Sequence, residues 1–349
     1  MTVMAGIRTF AAMAITLAVM TGCSAPGSEL EVADAVTVQR AGAVIHEPVY
    51  SYADHILLGL TDDQRIAGID LSQGGANVPT TVSDPIPDAG PNPVISPLNG
   101  DTALIAQPDR GRVAEIDIGR LAVSDTIDAG PAPSYLGLNS GARVLLALSR
   151  DGSTVTPVEL HQRTLLPSTV VDAGSGATVT GANRGRQLDF HVIGRDRVAY
   201  YKGHTPPAQE KGDLGVSVAA AAGDGAKVTR VYLAERGTDR LLAVDAQRGG
   251  EGLHVVGTAA VGEQIRYLAT DDTRIYAVTD QHVVVLETRS FEGYADRVIP
   301  VVRTLDFRSA VPDGPAESAP VSGIAVGNDR VFLTLSGQPY IIGVAKPRL

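Results

Sequence analysis

The residues of this sequence that could carry out chemistry are histidines, acidic pairs and serines, and their spacing decides what each could do. The seven histidines stand at positions 46, 55, 161, 191, 204, 254 and 282. They form no H-x-H or H-x-x-x-H pattern, which a local metal site would need. The acidic pairs in "TDDQR" (61–65) and "TDDTR" (270–274) lack calcium-loop spacing and are typical of turns. We therefore predict no metal site and no cofactor, although a repeat fold could gather distant residues around its axis.

Catalysis by a nucleophile would need a serine within a local motif. No G-x-S-x-G occurs, and Ser140 in "GLNSGA" is typical of a hairpin turn. The segments "GDGAK" and "GANRGR" could cradle a phosphate only if a helix followed them, and the sequence indicates none. We predict no catalytic residue.

The only cysteine, Cys23, follows an N-terminal segment with the pattern of an export signal. Arg8 is followed by the apolar run "AAMAITLAVMTG", which is too short to span a bilayer stably. Residues 1–22 are therefore predicted to be a signal peptide. Residues 23–33 are small, polar and acidic, which is typical of a flexible tether.

The segment around Cys23 resembles the lipobox of bacterial lipoproteins. Thr21 and Gly22 match the small residues of that motif, whereas Met20 stands where leucine is most usual. The resemblance implies that Cys23 carries acyl chains such as palmitate. The protein would then be anchored at the extracytoplasmic face of the cell membrane. The alternative is a buried free thiol at the signal-peptide boundary.

The composition is that of an acidic chain with a substantial core. Its 39 Asp and Glu against 29 Lys and Arg give a formal net charge of −10, which argues against binding nucleic acid. Apolar residues make up 44% but aromatic residues only 4%, so aliphatic side chains must fill the core. The 38 glycines and 21 prolines favour many short strands separated by turns. This composition also suggests a high-GC bacterium such as an actinobacterium.

A repeat of forty or so residues indicates the fold. The tripeptide Asp-Ala-Gly recurs at Asp88, Asp128 and Asp172, with separations of 40 and 44 residues. Short alternating strands follow each copy, joined by turns such as "PDRG" and "RDG". Four short strands in such a period are typical of a β-propeller blade. A helical repeat is excluded because the segments alternate every second residue and are often broken by Gly or Pro.

The number of blades follows from the apolar second strands, which are "HILLGL", "TALIAQ", "RVLLAL", "LDFHVI", "RVYLAE", "RIYAVT" and "RVFLTL". The last unit ends after its third strand, whereas "DAVTVQRAG" (34–42) precedes the first unit as an orphan strand. A ring of blades hides its strand edges only when it closes. We therefore predict an all-β, seven-bladed β-propeller over residues 34–349, closed by an N-terminal strand that completes the last blade. Six or eight blades are the alternatives.

The units resemble the YVTN-type propeller repeat, here in what would be an actinobacterial envelope lipoprotein. The segments "DAGPAPSYLGLNSGARVLLALS" and "RLLAVDAQRGG" carry the resemblance, while "RVYLAE" and "RIYAVT" replace the strict YVTN tetrapeptide. The resemblance implies a binding role more often than an enzymatic one. Propellers also host hydrolases and lactonases, so the fold alone does not decide the function.

Two segments are candidates for contact with a partner. One is a basic cluster in an otherwise acidic chain, and the other belongs to the longest irregular insertion, "YYKGHTPPAQEKGD" (200–213), with a second insertion at 307–320. The candidate contact residues are Arg184, Arg186, Arg195, Tyr200, Tyr201, Lys202 and His204.

Two functions are consistent with these features. The first is a membrane-anchored binding or scaffold module, whose propeller face would hold an envelope protein, a glycan or a small ligand. The second is an exported hydrolase or lactonase-like enzyme that uses the central channel. The enzyme requires Asp, Glu, His or Asn side chains from several blades to converge in that channel, so the channel lining discriminates between the two.

Overall fold

A computed structural model of the chain describes residues 35–72, 74–181, 187–226, 229–246 and 252–347. These residues form seven antiparallel sheets, six with four strands and one with five. The first strands of the sheets contact one another in a closed circle. The predicted all-β, seven-bladed propeller is confirmed, and the alternatives of six or eight blades are wrong.

Strand β1 (Val36–Arg40) precedes the first blade, and each blade then follows in chain order. The first blade comprises β2 (His46–Ser51), β3 (Ile56–Leu60), β4 (Ile66–Asp70) and β5 (Thr80–Val82). The second comprises β6 (Pro93–Ile95), β7 (Thr102–Gln107), β8 (Arg112–Asp117) and β9 (Ala122–Asp128). The third comprises β10 (Pro133–Asn139), β11 (Val144–Ser149), β12 (Thr154–Glu159), β13 (Thr164–Leu165) and β14 (Thr169–Val170).

The fourth blade comprises β15 (Thr178–Gly181), β16 (Leu188–Ile193), β17 (Arg197–Gly203) and β18 (Gln209–Gly215). The fifth comprises β19 (Val218–Gly223), β20 (Arg230–Glu235), β21 (Arg240–Ala246) and β22 (Leu253–Ala260). The sixth comprises β23 (Tyr267–Thr270), β24 (Arg274–Val278), β25 (His282–Glu287) and β26 (Val301–Asp306). The seventh comprises β27 (Val321–Val326), β28 (Arg330–Leu335), β29 (Gln338–Ala345) and β1. Short 3-10 helices are η1 (Pro108–Arg110), η2 (Ser140–Ala142), η3 (Ala295–Arg297) and η4 (Arg308–Ala310).

The ring closes where the sequence predicts. Strand β1 pairs antiparallel with β29, from Val36 opposite Val344 to Arg40 opposite Tyr340. Val38 also packs against the apolar cluster between the last two blades. The N-terminal strand therefore supplies the outer strand of the seventh blade and covers an edge that would otherwise be open.

Each of the seven apolar second strands forms the second strand of a blade and is buried on both faces. In β20, for example, Val231 and Leu233 face the fourth blade, whereas Tyr232 and Ala234 face the sixth. One apolar cluster fills each interface between neighbouring blades. Because both faces of these strands are buried, they are continuously apolar and do not alternate.

The segment 200–213 is more regular than its sequence suggests. Strand β17 continues to Gly203 and β18 begins at Gln209, so only 204–208 are irregular. The prediction of a long insertion here was wrong because Tyr200 and Tyr201, as good strand formers, extend β17. By contrast, 307–320 contains only η4 and turns, in agreement with the prediction.

Close approach of the inner strands depends on glycine. A Cβ at Gly137 in β10 would lie 2.6 Å from the carbonyl oxygen of Val179 in β15. A Cβ at Gly181 would overlap the backbone at Leu138 in the same way. These two glycines let the first strands of the third and fourth blades pack backbone to backbone around the channel.

Candidate functional site

The propeller has two faces, which follow from the antiparallel order of each blade. We call one edge of the blades the upper face. At this edge the first and third strands of each blade begin and the second strand ends. The opposite edge is the lower face. The central channel runs between them along the seven first strands.

The predicted contact residues do not form one group. Cys23, Arg184 and Arg186 lie outside the described residues. Arg195 lies between β16 and β17 on the upper face, where it is exposed and pairs with Asp196 at 4.0 Å.

Lys202 and His204 lie at the other end of β17, on the lower face. His204 is exposed, and its Nε2 lies 3.3 Å from the side-chain nitrogen of Gln187, while Lys202 is half-buried. The structure therefore brings Lys202 and His204 together but separates them from Arg195.

Tyr200 and Tyr201 occupy the interfaces between blades, and each ring is only 3% exposed. Tyr201 stacks on Phe190 with ring centroids 5.2 Å apart and donates a hydrogen bond to Glu210, 3.2 Å away. Tyr200 packs toward the fifth blade. Because adjacent strand residues point to opposite faces, each tyrosine fills a different interface. Burial raises the pKa of Tyr201 to about 12, which keeps the phenol protonated.

The sequence analysis named the central channel but did not identify the residues that line it. It has a volume of about 870 Å³, and side chains from all seven first strands or the loops that precede them line it. Glu47 enters from the first blade, Tyr135 from the third and Tyr267 from the sixth. The two tyrosines occupy similar places in "PSYLGLN" and "IRYLATD", each before a leucine. That recurrence was the one available signal.

A β-bulge in β2 directs the side chain of Glu47 into the channel. The pairing of β2 with β3 shifts between His46 and Val49, and Glu47 adopts a left-handed backbone with φ of 45°. On the neighbouring strand β27, a Cβ at Gly323 would overlap Pro48, so only glycine lets the bulge fit. A non-glycine residue with positive φ is uncommon and costs free energy, and such residues cluster at functional sites.

The Glu47 carboxylate has no hydrogen-bond or ion-pair partner among the described residues. Burial raises its pKa to about 7, because the channel wall removes water without supplying a compensating cation. Burial, and then the charge of Glu47, raise the pKa of Tyr267 to about 12 and that of Tyr135 further. The three side chains are therefore close enough to influence one another electrostatically.

Three arginines line the channel at the upper face. Arg266 pairs with Asp280 at 2.8 Å, and Arg195 pairs with Asp196. The guanidinium of Arg236 donates to the carbonyl oxygen of Val218. Asn92, another polar residue of the wall, is 8% exposed, and its amide exchanges hydrogen bonds with the Leu136 backbone at 2.8 and 3.0 Å.

A second cavity, of about 910 Å³, lies between the last and first blades at the lower face. Its histidine, His55, is already engaged, because Nδ1 lies 3.0 Å from the Tyr50 hydroxyl. Residues of only the first and last blades, including β1, line it. The channel, with its unpartnered charge, is the better candidate.

Among the described residues, no group of three or more His, Cys, Asp and Glu side chains is arranged to hold a metal ion. Nor does the described part of the chain contain a helix long and apolar enough to cross a membrane.

Comparison with known proteins identifies the fold. No family model and no curated protein matches this chain. A chain of "Crystal Structure of Mitotic Checkpoint Complex" superposes with a TM-score of 0.66 at 13% identity, over 99% of both chains. "Structure of U3-55K" gives 0.65 at 10% identity, over 89% of this chain and 98% of that one. "Crystal structure of RRP9 WD40 repeats" gives 0.64 at 10%, over 89% and 97%. At such identities the likeness shows the fold alone: a seven-bladed β-propeller.

Proposed function

We propose that this chain is a lipid-anchored extracytoplasmic propeller of the YVTN type that acts as a binding or scaffold module. Its partner would be an envelope protein, a glycan or a small ligand. The supporting observation is the channel of about 870 Å³, lined from all seven blades and carrying an unpartnered carboxylate at Glu47. A large, preformed concave site on which polar groups from several elements converge is a common form of ligand site.

The anchor part of the proposal rests on the lipobox-like segment before Cys23 and on the tether 23–33. The test is metabolic labelling of cells with an alkyne analogue of palmitate, followed by capture of the tagged protein. We expect label on the natural chain and none on Cys23→Ala, with the variant released from the membrane fraction. Equal labelling of both chains would refute the anchor.

The binding part is tested by crosslinking in cells and mass spectrometry on tagged protein from native membranes, with Cys23→Ala as the unanchored control. We expect an envelope partner that is reproducible with the natural chain and weakened in the control. Lys202 and His204 on the lower face remain our candidates for a contact surface. A Lys202→Ala, His204→Ala double variant should then reduce the yield of that crosslink, whereas Arg195→Ala, on the opposite face, should not.

One observation favours the alternative, a hydrolase or lactonase-like enzyme. The carboxyl of Glu47, with a pKa of about 7, could act as a general acid or base near neutral pH. An ester and lactone substrate screen with Glu47→Gln as the inactive control tests this function. Turnover lost in Glu47→Gln would favour the enzyme, while no turnover of any substrate would leave binding as the better proposal.

A further inference from the structure

We propose that the central channel binds the ammonium group of a small organic cation, with the Glu47 carboxylate as its counter-ion and Tyr135 and Tyr267 beside it. This inference rests on the proposed binding function and names the chemistry of the ligand. It follows from three features of the channel: where the uncompensated charge lies, which side chains surround it, and how it titrates.

The charged side chain that has no partner within the described channel wall is an anion, whereas the three arginines of the wall are all engaged. Arg266 and Arg195 each have an acidic partner, and Arg236 is engaged by a backbone carbonyl. An anion entering the channel would have to displace these contacts. Glu47, by contrast, has no partner among the described residues. A bound cation would therefore form an ion pair with a carboxylate that is desolvated and otherwise unpaired.

The side chains around Glu47 suit an organic ammonium better than a metal ion. A metal ion would require several carboxylate or imidazole ligands, whereas the described channel wall provides one carboxylate. Tyr135 and Tyr267 are half-buried, and each packs against an interblade apolar cluster that holds its ring in place. Aromatic faces beside a carboxylate attract organic cations, and the phenol oxygens can accept hydrogen bonds from an N–H donor.

The tyrosines act as a matched pair on opposite parts of the wall. Tyr267 is the first residue of β23, and Tyr135 is the third residue of β10. Both therefore lie near the upper face, at the level of Glu47 in β2. Neither hydroxyl has a hydrogen-bond partner among the described residues, so both can reorient toward a ligand.

Proton release should accompany binding. Besides Glu47, the titratable and charged side chains of the channel wall are Tyr135 and Tyr267, with Arg195, Arg236 and Arg266 at the upper mouth. Burial raises the pKa of both phenols, so they stay neutral near pH 7. Glu47 is thus the group that titrates near neutrality, and a cation binds only its ionised form. With a carboxyl pKa of about 7, the ionised fraction, and hence the apparent affinity, rises about tenfold from pH 6 to pH 8.

The test uses n-pentylammonium as the probe and 1-pentanol as a neutral analogue of the same length. The full-length protein, labelled with carbon-13 at its glutamate carboxyls, is titrated with each compound at pH 6 and pH 8 and followed by NMR. Glu47→Gln identifies the Glu47 signal and removes the charge. Glu263→Gln is the control, because Glu263 also lies on the upper face but outside the channel lining, where it pairs with His282.

We expect saturable pentylammonium binding that is about tenfold tighter at pH 8 than at pH 6 and at least tenfold weaker in Glu47→Gln. Glu263→Gln should bind as the natural protein does. Saturating pentylammonium should also lower the pKa of Glu47 in the natural protein, a readout that does not depend on the folding of any variant.

Equal affinity for pentanol, equal affinity of Glu47→Gln, or no saturable binding would overturn the proposal. An unchanged Glu47 titration at saturating probe would do the same. Crosslinking in cells is independent of this result. A partner captured there without an ammonium site in the channel would leave the binding function standing and remove only this inference.

Discussion

The imidazole ring of His191 packs against the phenol ring of Tyr200, with their centroids 4.9 Å apart on neighbouring strands of the fourth blade. Asp189 lies two residues before His191 and is equally buried. Asp189 Oδ1, His191 Nε2 and the Tyr200 hydroxyl have no hydrogen-bond partner in the described structure. The interface between the fourth and fifth blades therefore contains two buried titratable groups whose pKa values shift in opposite directions.

Asp189→Asn should stabilise the protein at neutral pH. Burial raises the pKa of this carboxyl from 3.8 to about 6, with a smaller opposing effect from the charge of Lys202. The folded state thus holds the proton more tightly than the unfolded state, and stability is lost as the pH rises from about 4 to 6. We expect the variant to gain on the order of 3 kcal/mol at pH 8 and little at pH 4, measured by urea unfolding. Equal changes at both pH values would contradict this cause.

His191→Gln should reduce the sensitivity of the protein to acid. Burial lowers the pKa of His191 from 6.5 to about 4, opposed in part by the charge of Asp245. The folded state keeps the imidazole neutral, so stability is lost as the pH falls from 6.5 to 4. The variant should lose less over that range, by on the order of 3 kcal/mol. His204→Gln, on the exposed lower face, is the control and should leave the pH profile unchanged.

Much of the fold can be predicted from local sequence patterns. The Asp-Ala-Gly repeat, the seven apolar second strands and the orphan segment 34–42 predict the seven blades and their closure, because each depends on residues close in sequence or on the need to cover a strand edge. Reasoning from local patterns did not show that Tyr200 and Tyr201 are buried. The local composition indicates a polar segment, whereas the strand places the two rings in different interfaces between blades.

The channel could not be predicted in the same way. Which residue of a first strand faces the axis depends on the bulge at Glu47 and Pro48, and that bulge depends on Gly323 in the neighbouring blade. The meeting of Glu47, Tyr135 and Tyr267 further depends on how the blades are arranged around the ring. These relationships join residues far apart in sequence, so no local spacing reveals them.

Arg230→Met should destabilise the protein strongly. This side chain is 2% exposed, pairs with Asp245 at 2.7 and 3.1 Å, and donates to the carbonyl oxygen of Thr288 in the sixth blade at 2.9 Å. Removing the guanidinium breaks a buried, hydrogen-bonded ion pair, which costs about 3–5 kcal/mol. Arg240→Met, which breaks the exposed pair with Glu235, is the control and should cost less than about 1 kcal/mol. Similar losses in chemical denaturation would show that burial of the pair does not matter.

Gly137→Ala should loosen the contact between the third and fourth blades. The added methyl group would meet the Val179 carbonyl oxygen at 2.6 Å, and backbone cannot move aside as a side chain can. We expect a loss of about 1–3 kcal/mol, measured by thermal or urea unfolding. Gly215→Ala is the matched control, because nothing lies within 4 Å of its Cβ position. It should be neutral or slightly stabilising, and an equal loss in both would contradict the packing argument.

Val38→Asp should open the ring. Val38 is opposite Ile342 in the pairing that joins the two ends of the propeller, and it packs against the apolar cluster between the sixth and seventh blades. A carboxylate at this half-buried position would lie against the apolar cluster, which costs about 2 kcal/mol. The control is Val123→Asp in β9, also an outer strand, where the side chain is 49% exposed and no ring closure depends on it. It should change stability by less than about 0.5 kcal/mol.

Loss of β1 would also expose the edge of β29, which contains the core residues Ile341 and Ile342 and would then be an unpaired strand edge. We therefore expect Val38→Asp to unfold at lower temperature and to form oligomers in size-exclusion chromatography, while Val123→Asp stays monodisperse. If both variants behaved alike, pairing of the N-terminal strand would not be what holds the propeller closed.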